Sequence, residues 1–414
     1  KQINDQFTLY IAQDNKDEIN EIIDFNVKVH GPPVKNYVSR ILLEHPRKNE
    51  LLYLYIRDNF TNKIISGISL SPLDWLFNDL IISVCEMDFV GTLEEYRGKG
   101  IIGNLFSTYE KVMEERKIIM SVIRGIPYFY RKYNYEFAFP LDNRIYLSPE
   151  KIPSDDLNNL KIRKANENDI KFVSGLYNDF YRDFFIKNKF SREEFKFRFF
   201  NEEYNDFKLV TYIIERDDKA ETYFSFGMSY DNIAYLFKVP HLTNEQMIKI
   251  LQFIKELGIS ENNDNLNLNF REDTEFGRFI VSLGGNPYQD YGWQVRIPNL
   301  ERFFNSIKTI LERRIKNSGF KNLTKIVRIS NYQETIELNF NKGKISVIKT
   351  ERGYPEEGSC DVQMPGSVLY KLLLGDKSFD EINYIIKDAM IKLSSKDLIN
   401  ILFPKKNSFP DTYY

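Results

Sequence analysis

The chain has 414 residues, 42% of them hydrophobic, and 57 basic against 59 acidic side chains leave a net charge of −2. This balance excludes a wholly disordered chain and a protein that grips nucleic acid through bulk positive charge. No run of about 18 apolar residues is present to make a conventional membrane-spanning helix, and Cys85, Cys360, His30, His45 and His241 have no metal-ligand spacing.

At about 150 residues per domain the length allows two to three domains. The opening Lys1–Phe7 is polar and lacks the apolar middle of a secretory signal. With 2 cysteines in the whole chain, a reducing, cytoplasmic setting is the expectation. Cys85, inside the apolar run Leu80–Phe89, reads as core rather than as a nucleophile.

The first block, 1–153, opens with an amphipathic stretch at Asp14–Lys28. Strands are predicted at Leu51–Arg57, Lys63–Leu70 and Leu80–Val90, the last continuing to Thr92. From Gly100 to Lys117 the apolar residues Ile101, Leu105, Tyr109, Val112 and Met113 recur at helical spacing, which predicts one buried face. A short strand, Ile118–Ile123, and the aromatic segment Tyr128–Phe139 complete the block. The second block, 154–296, repeats this rhythm, with helices at Asn166–Tyr177, Ser191–Phe199 and Asn244–Leu257 among strands. The third, 297–414, predicts a helix at Leu300–Lys316, three strands between Lys325 and Thr350, and helices at Ser367–Leu374, Phe379–Met390 and Lys396–Leu402. Helices mixed with strands throughout give an α/β (α+β) protein with mixed sheets.

The chemistry is concentrated in Cys85–Gly103, where a strand ends near Thr92 and Arg97-Gly-Lys-Gly100 opens a helix. Glycines 98 and 100 let a ligand approach the backbone, and unpaired first-turn amides with the helix dipole suit a pyrophosphate. Arg97 and Lys99 add positive charge there. The same residues also fit a glycine-eased helix start. Two other nucleotide readings fail: Asn104 stands where a nucleotide-hydrolase loop needs lysine, and no acidic ribose ligand follows the accidental match Gly98, Gly100, Gly103 to the Rossmann fingerprint.

The segment resembles the acetyl-CoA loop of the Gcn5-related N-acetyltransferases, whose pattern is Q/R-x-x-G-x-G/A, with Ile102 at the last position. Phe129-Tyr-Arg-Lys-Tyr-Asn-Tyr135 is similar to that family's closing FYxxxGF segment, with Asn134 for its glycine. Length, a diverged second copy and the third block resemble the enhanced-intracellular-survival (Eis) type. There two tandem acetyltransferase-like folds, the second degenerate, precede a sterol-carrier-like α+β domain. Asp361-Val-Gln-Met-Pro365, Leu372-Leu-Leu-Gly375 and Leu402-Phe-Pro404 look like landmarks of the last.

The resemblance implies that acetyl-CoA is the co-substrate, with no metal. Its arm would meet Phe89, Val90 and Gly91, its pyrophosphate the amides of Arg97, Gly98, Lys99, Gly100, Ile101 and Ile102, and Gly125 and Ile126 would close the far side. Tyr130 falls on the general-acid position. Two bases compete: the carboxylate of Tyr414, as in the Eis type, and Glu86, eleven residues before Arg97, whose strand face it shares with Asp88. Direct transfer to a primary amine (aminoglycoside, polyamine or lysine side chain) and a homo-oligomer, hexameric in that type, follow from the resemblance. A lipid or acyl-CoA carrier working through the third domain, and a longer-chain acyl or aminoacyl transferase, are the rival readings.

Overall fold

Asn15 starts the first helix: its side chain accepts from the amides of Asp17 and Glu18, and Ile19, Ile22, Ile23 and Phe25 then fall on one buried face. In this computed structural model the described residues are 1–141, 143–200, 209–228, 234–257, 266–288, 291–356 and 358–411. The first block runs β1 (Phe7–Ile11), α1 (Lys16–His30), α2 (Val34–Glu44), β2 (Leu52–Asp58), β3 (Lys63–Phe77), β4 (Leu80–Thr92), α3 (Ile101–Glu115), β5 (Met120–Ile123), β6 (Glu136–Pro140) and β7 (Asn143–Leu147). The second contains β8 (Leu160–Lys164), α4 (Ile170–Phe180), β9 (Ile186–Asn188), α5 (Arg192–Phe199), β10 (Val210–Arg216), β11 (Lys219–Met228) and β12 (Ala234–Lys238). It continues with α6 (Asn244–Glu256), β13 (Leu266–Phe270), α7 (Glu275–Ser282), β14 (Asn286–Pro287) and β15 (Gly292–Arg296).

The first sheet has the order β1-β2-β3-β4-β5-β15-β6, with β9 added beside β3. All its pairings are antiparallel except β4 with β5, which run parallel at Val84–Met120, Cys85–Ser121 and Glu86–Val122. Besides β9, two more strands have changed sides. β15, from the second block, lies between β5 and β6. In return β7 pairs with β13 and β14. The division expected at 153 therefore does not separate the sheets, whereas no strand pairing among the described residues crosses 296. Local periodicity specifies that a segment is a strand, whereas its partner depends on which edge it meets after folding.

The remaining second-block sheet is β12-β11-β10-β8. Its core gathers Ile214, Phe224, Ile250, Leu251, Ile254, Leu266 and Leu268. The whole is a mixed α/β architecture of tandem acetyltransferase-like folds followed by a third α+β unit.

In that unit α8 (Leu300–Lys316) covers the sheet built from β16 (Lys325–Ser330), β17 (Glu334–Asn341), β18 (Lys344–Arg352), β19 (Val362–Gln363) and β20 (Met390–Ile391). The short helices α9 (Leu369–Leu373), α10 (Phe379–Ile385) and α11 (Lys396–Leu402) complete it. The helix expected to reach Met390 stops at Ile385, because Met390 is taken into β20 opposite Gln363. Among the described residues no helix is long and apolar enough to cross a membrane.

Candidate active site

The parallel pairing of β4 with β5 ends at Glu86 and Val122, yet β4 runs on to Thr92. The strands part there and open a cleft of about 490 Å³, whose walls include His30, Tyr37, Glu86, Asp88, Phe89, Val90, Arg124, Gly125, Ile126 and Tyr130. Beyond Glu86 no described strand pairs with β4 on this side, so main-chain groups are left along the opening.

A bulge shapes the wall. The register of β3 with β4 slips between Gly67 and Ser69, and Phe89 takes a positive φ of 49°. For a bulky residue that conformation is strained by about 1–3 kcal/mol. It is held by the Phe89 amide, which donates to Asp88 Oδ1 at 2.8 Å, and by the Tyr37 ring 5.1 Å from that of Phe89. The Tyr37 hydroxyl also donates to Asp88 Oδ2 at 2.9 Å. Gly91 lies against α1, where an added Cβ would sit 2.5 Å from Val29 Cγ1, and its carbonyl accepts from Ser66 Oγ.

Residues 97–102 stand at the end of β4 rather than in the cleft wall, with Arg97 Nε donating to Thr92 O at 3.1 Å. Gly98 and Gly100 have φ of 76° and 71°, the left-handed region that favours glycine. Gly100 caps α3, no side chain satisfies the helix's first amides, and an added Cβ at Gly98, Gly100 or Gly103 would meet nothing within 4 Å. The result is an open ring of N–H donors at a 15-residue helix. Tyr96 braces the loop: its hydroxyl donates to Asp58 Oδ2 at 3.0 Å, and its ring lies 5.0 Å from Lys99 Nζ. Ile101 is buried in the core beneath, while Arg97 and Lys99 are exposed.

Across the cleft, Gly125 is fixed by close approach. A Cβ there would fall 1.9 Å from Tyr130 Cε2. Tyr130 is 6% exposed, its ring held by Phe106, Phe129 and Tyr135. Among the described residues nothing hydrogen-bonds to its hydroxyl. Burial, with the charge of Asp88 adding, pushes its pKa well above the ordinary phenol value, so it keeps its proton at neutral pH. Asn134 turns the chain out of this segment with a φ of 62°, a conformation asparagine tolerates in place of glycine.

At the back of the cleft Glu86 is 3% exposed and receives both Nε and Nη2 of Arg124 at 2.9 Å. Burial pushes its carboxyl up to about 7, the charge of Asp88 adding to the effect and Arg124 opposing it. Arg124 in turn lies 5.4 Å over the Trp293 ring of β15, and Gln294 Nε2 donates to Gly125 O at 2.8 Å. The exchanged strand thus forms the cleft's rear support. Arg124, Trp293 and Gln294 escape a sequence reading, since the only local signal is one arginine ending an apolar strand. Tyr414 lies outside the described residues, but residues 408–411 are buried behind this wall, where Trp293 Nε1 donates to Pro410 O at 2.9 Å.

Cys85 is fully buried, bonded to the Tyr109 hydroxyl at 3.1 Å, and its thiol is pushed up to about 11 by burial, which makes it an inert core residue. Leu369, Leu372, Leu373 and Leu374 of the third unit pack into its core.

Comparison with known proteins agrees with this geometry. Residues 12–138 match the family described as acetyltransferase (GNAT) domain. No curated protein sequence is detectably similar to the chain. A probable N-acyltransferase of Enterococcus faecalis V583 shares the fold with a TM-score of 0.70 and 14% identity, over 98% of this chain and 100% of that one. A GCN5-related N-acetyltransferase of Anabaena variabilis ATCC 29413 gives 0.68 and 14%, over 97% and 99%. Eis1 of Mycobacterium abscessus gives 0.62 and 10%, over 99% and 100%. The likeness of fold therefore runs through all three units.

Proposed function

We propose that the chain is an acetyl-CoA-dependent N-acetyltransferase that acetylates a primary amine by direct transfer. The observation that carries this reading is a cleft of parted strands with a buried, protonated phenol in its wall and an uncapped helix start beyond it, at the end of β4. A diphosphate fits the donors at 98–102, and an extended pantetheine chain fits the unpaired edge of β4. The amine nitrogen attacks the thioester carbonyl, the carbon–sulfur bond breaks, and Tyr130 gives its proton to the departing sulfur. A carboxylate takes the proton lost by the amine. We assign that role to the Tyr414 terminus, with Glu86 as its competitor. The docked tail supports Tyr414, and the ion pair with Arg124 weakens Glu86 as a free base.

With Glu86 paired to Arg124, Asp88 gives the cleft an acidic side that suits a cationic amine such as an aminoglycoside, polyamine or lysine side chain. The third unit is read as sterol-carrier-like in fold and as the support of the tail rather than as a lipid carrier, since its leucines pack inward. A cytoplasmic homo-oligomer, hexameric as in the Eis type, completes the reading. The test is free-thiol release from acetyl-CoA over a panel of amines, with calorimetric binding of the coenzyme. No thiol release with any amine and no coenzyme binding would remove the proposal.

A further inference from the structure

We propose that Asp411 is a positioning residue, a buried latch that holds the end of the chain against the rear wall of the cleft. This rests on the transferase reading above and deepens it.

Residues 408–411, in the segment after α11, are buried. Residues 407–411 run beside β9: the Phe185 amide donates to Asn407 O, the Phe409 amide to Ile186 O, and the Asp411 amide to Asn188 Oδ1, the last at 2.6 Å. Arg271, 2% exposed, donates to Ser408 O and stacks 4.2 Å from the Phe409 ring. Asp411 itself is 1% exposed. Its carboxylate takes Arg198 Nη2 at 3.1 Å and the Tyr177 hydroxyl at 3.2 Å, and it pairs with Lys238. All three partners are buried and come from the second unit.

Ionic groups removed from water in this way cost several kcal/mol each unless mutually paired. An apolar residue would dock the tail more cheaply, so a charged latch indicates a requirement for one fixed register. That register matters for the cleft. Trp293 binds Pro410 on one side and supports Arg124 on the other, and Arg124 holds Glu86. Asp411 thus fixes the tail against the wall that carries Arg124 and Glu86, and the second unit is its anchor.

Asp411→Asn strips a charge from the cluster and can unfold the protein, so Asn188→Ala, which removes only the tether of the Asp411 amide, is made beside it. Both are expected to lower kcat by about 10²-fold, the scale for misplacing a reacting group by 1 Å. Coenzyme Kd and Tm of Asn188→Ala should stay close to wild type. In a chain lacking residues 412–414 the Asn188→Ala change should have no further effect on kcat. Independently of activity, carboxypeptidase followed by mass spectrometry should stop at the latch in wild type and pass it in both variants. Unchanged kcat in both variants, an equal loss in the shortened chain, or trimming through 411 in wild type would overturn the latch. Failure of the wild type to use acetyl-CoA at all would overturn the function and leave the trimming result to judge the latch.

Discussion

The Glu86 carboxylate accepts two bonds from the Arg124 guanidinium at 2.9 Å, yet burial still raises its pKa from the ordinary 4.5 to about 7. Desolvation outweighs the attraction because the pair is shut off from water and Asp88 adds like charge from the same strand.

This sets the sign of a pH effect. Below about pH 4.5 the group is protonated in both folded and unfolded chains and contributes nothing. Between 4.5 and about 7 the unfolded chain releases the proton first, so the contribution of Glu86 to stability falls as pH rises. The full change is about 3 kcal/mol, at about 1.4 kcal/mol per pH unit. Urea denaturation of wild type and Glu86→Gln at pH 5, 6 and 7 should show their difference shrinking or reversing toward acid in favour of wild type. A difference independent of pH would refute it.

Tyr130→Phe removes a hydroxyl that bonds to no described residue, so Tm should remain within about 1 °C of wild type, the shift that about 1 kcal/mol produces in a chain of this length. Thiol release should fall by about 10²–10⁴-fold, the range for loss of a positioned proton donor. Coenzyme affinity should be unaltered. Equal turnover in the two proteins would remove the acid.

Gly125→Ala tests the fit between that residue and the Tyr130 ring, since the new methyl would lie 1.9 Å from Cε2. The ring is boxed in by Phe106, Phe129 and Tyr135, so the overpacking should cost about 1–3 kcal/mol in chemical denaturation. Turnover should drop with it, as the phenol is pushed from its place.

Gly100→Ala separates backbone conformation from space. Nothing lies within 4 Å of its added Cβ, so any effect comes from the φ of 71°, which costs a residue with a side chain about 1–2 kcal/mol. Coenzyme Kd measured by calorimetry should rise by about tenfold, the factor that 1.4 kcal/mol represents, while amine KM holds steady. An unchanged Kd would show that the helix start does not bind the diphosphate.

The sequence by itself determined the units that short-range physics controls. The apolar spacing of Ile101, Leu105, Tyr109 and Val112 made α3 an amphipathic helix, and Gly98 and Gly100 marked its left-handed, uncapped entry. Tyr130 was singled out only by the resemblance of 129–135 to the acetyltransferase closing segment, since an aromatic run by itself reads as packing. The tertiary structure decided who stands behind these groups: β15 entering the first sheet, β7 leaving it, and β9 lengthening the support of β3. Arg124 met Glu86, Trp293 met Pro410 and Asp411 met Arg198 only through such pairings. Helical periods and caps act over a few residues and are written locally, whereas strand partners and buried ion pairs join segments up to 234 positions apart, as Tyr177 and Asp411 do. Only the folded chain brings those together.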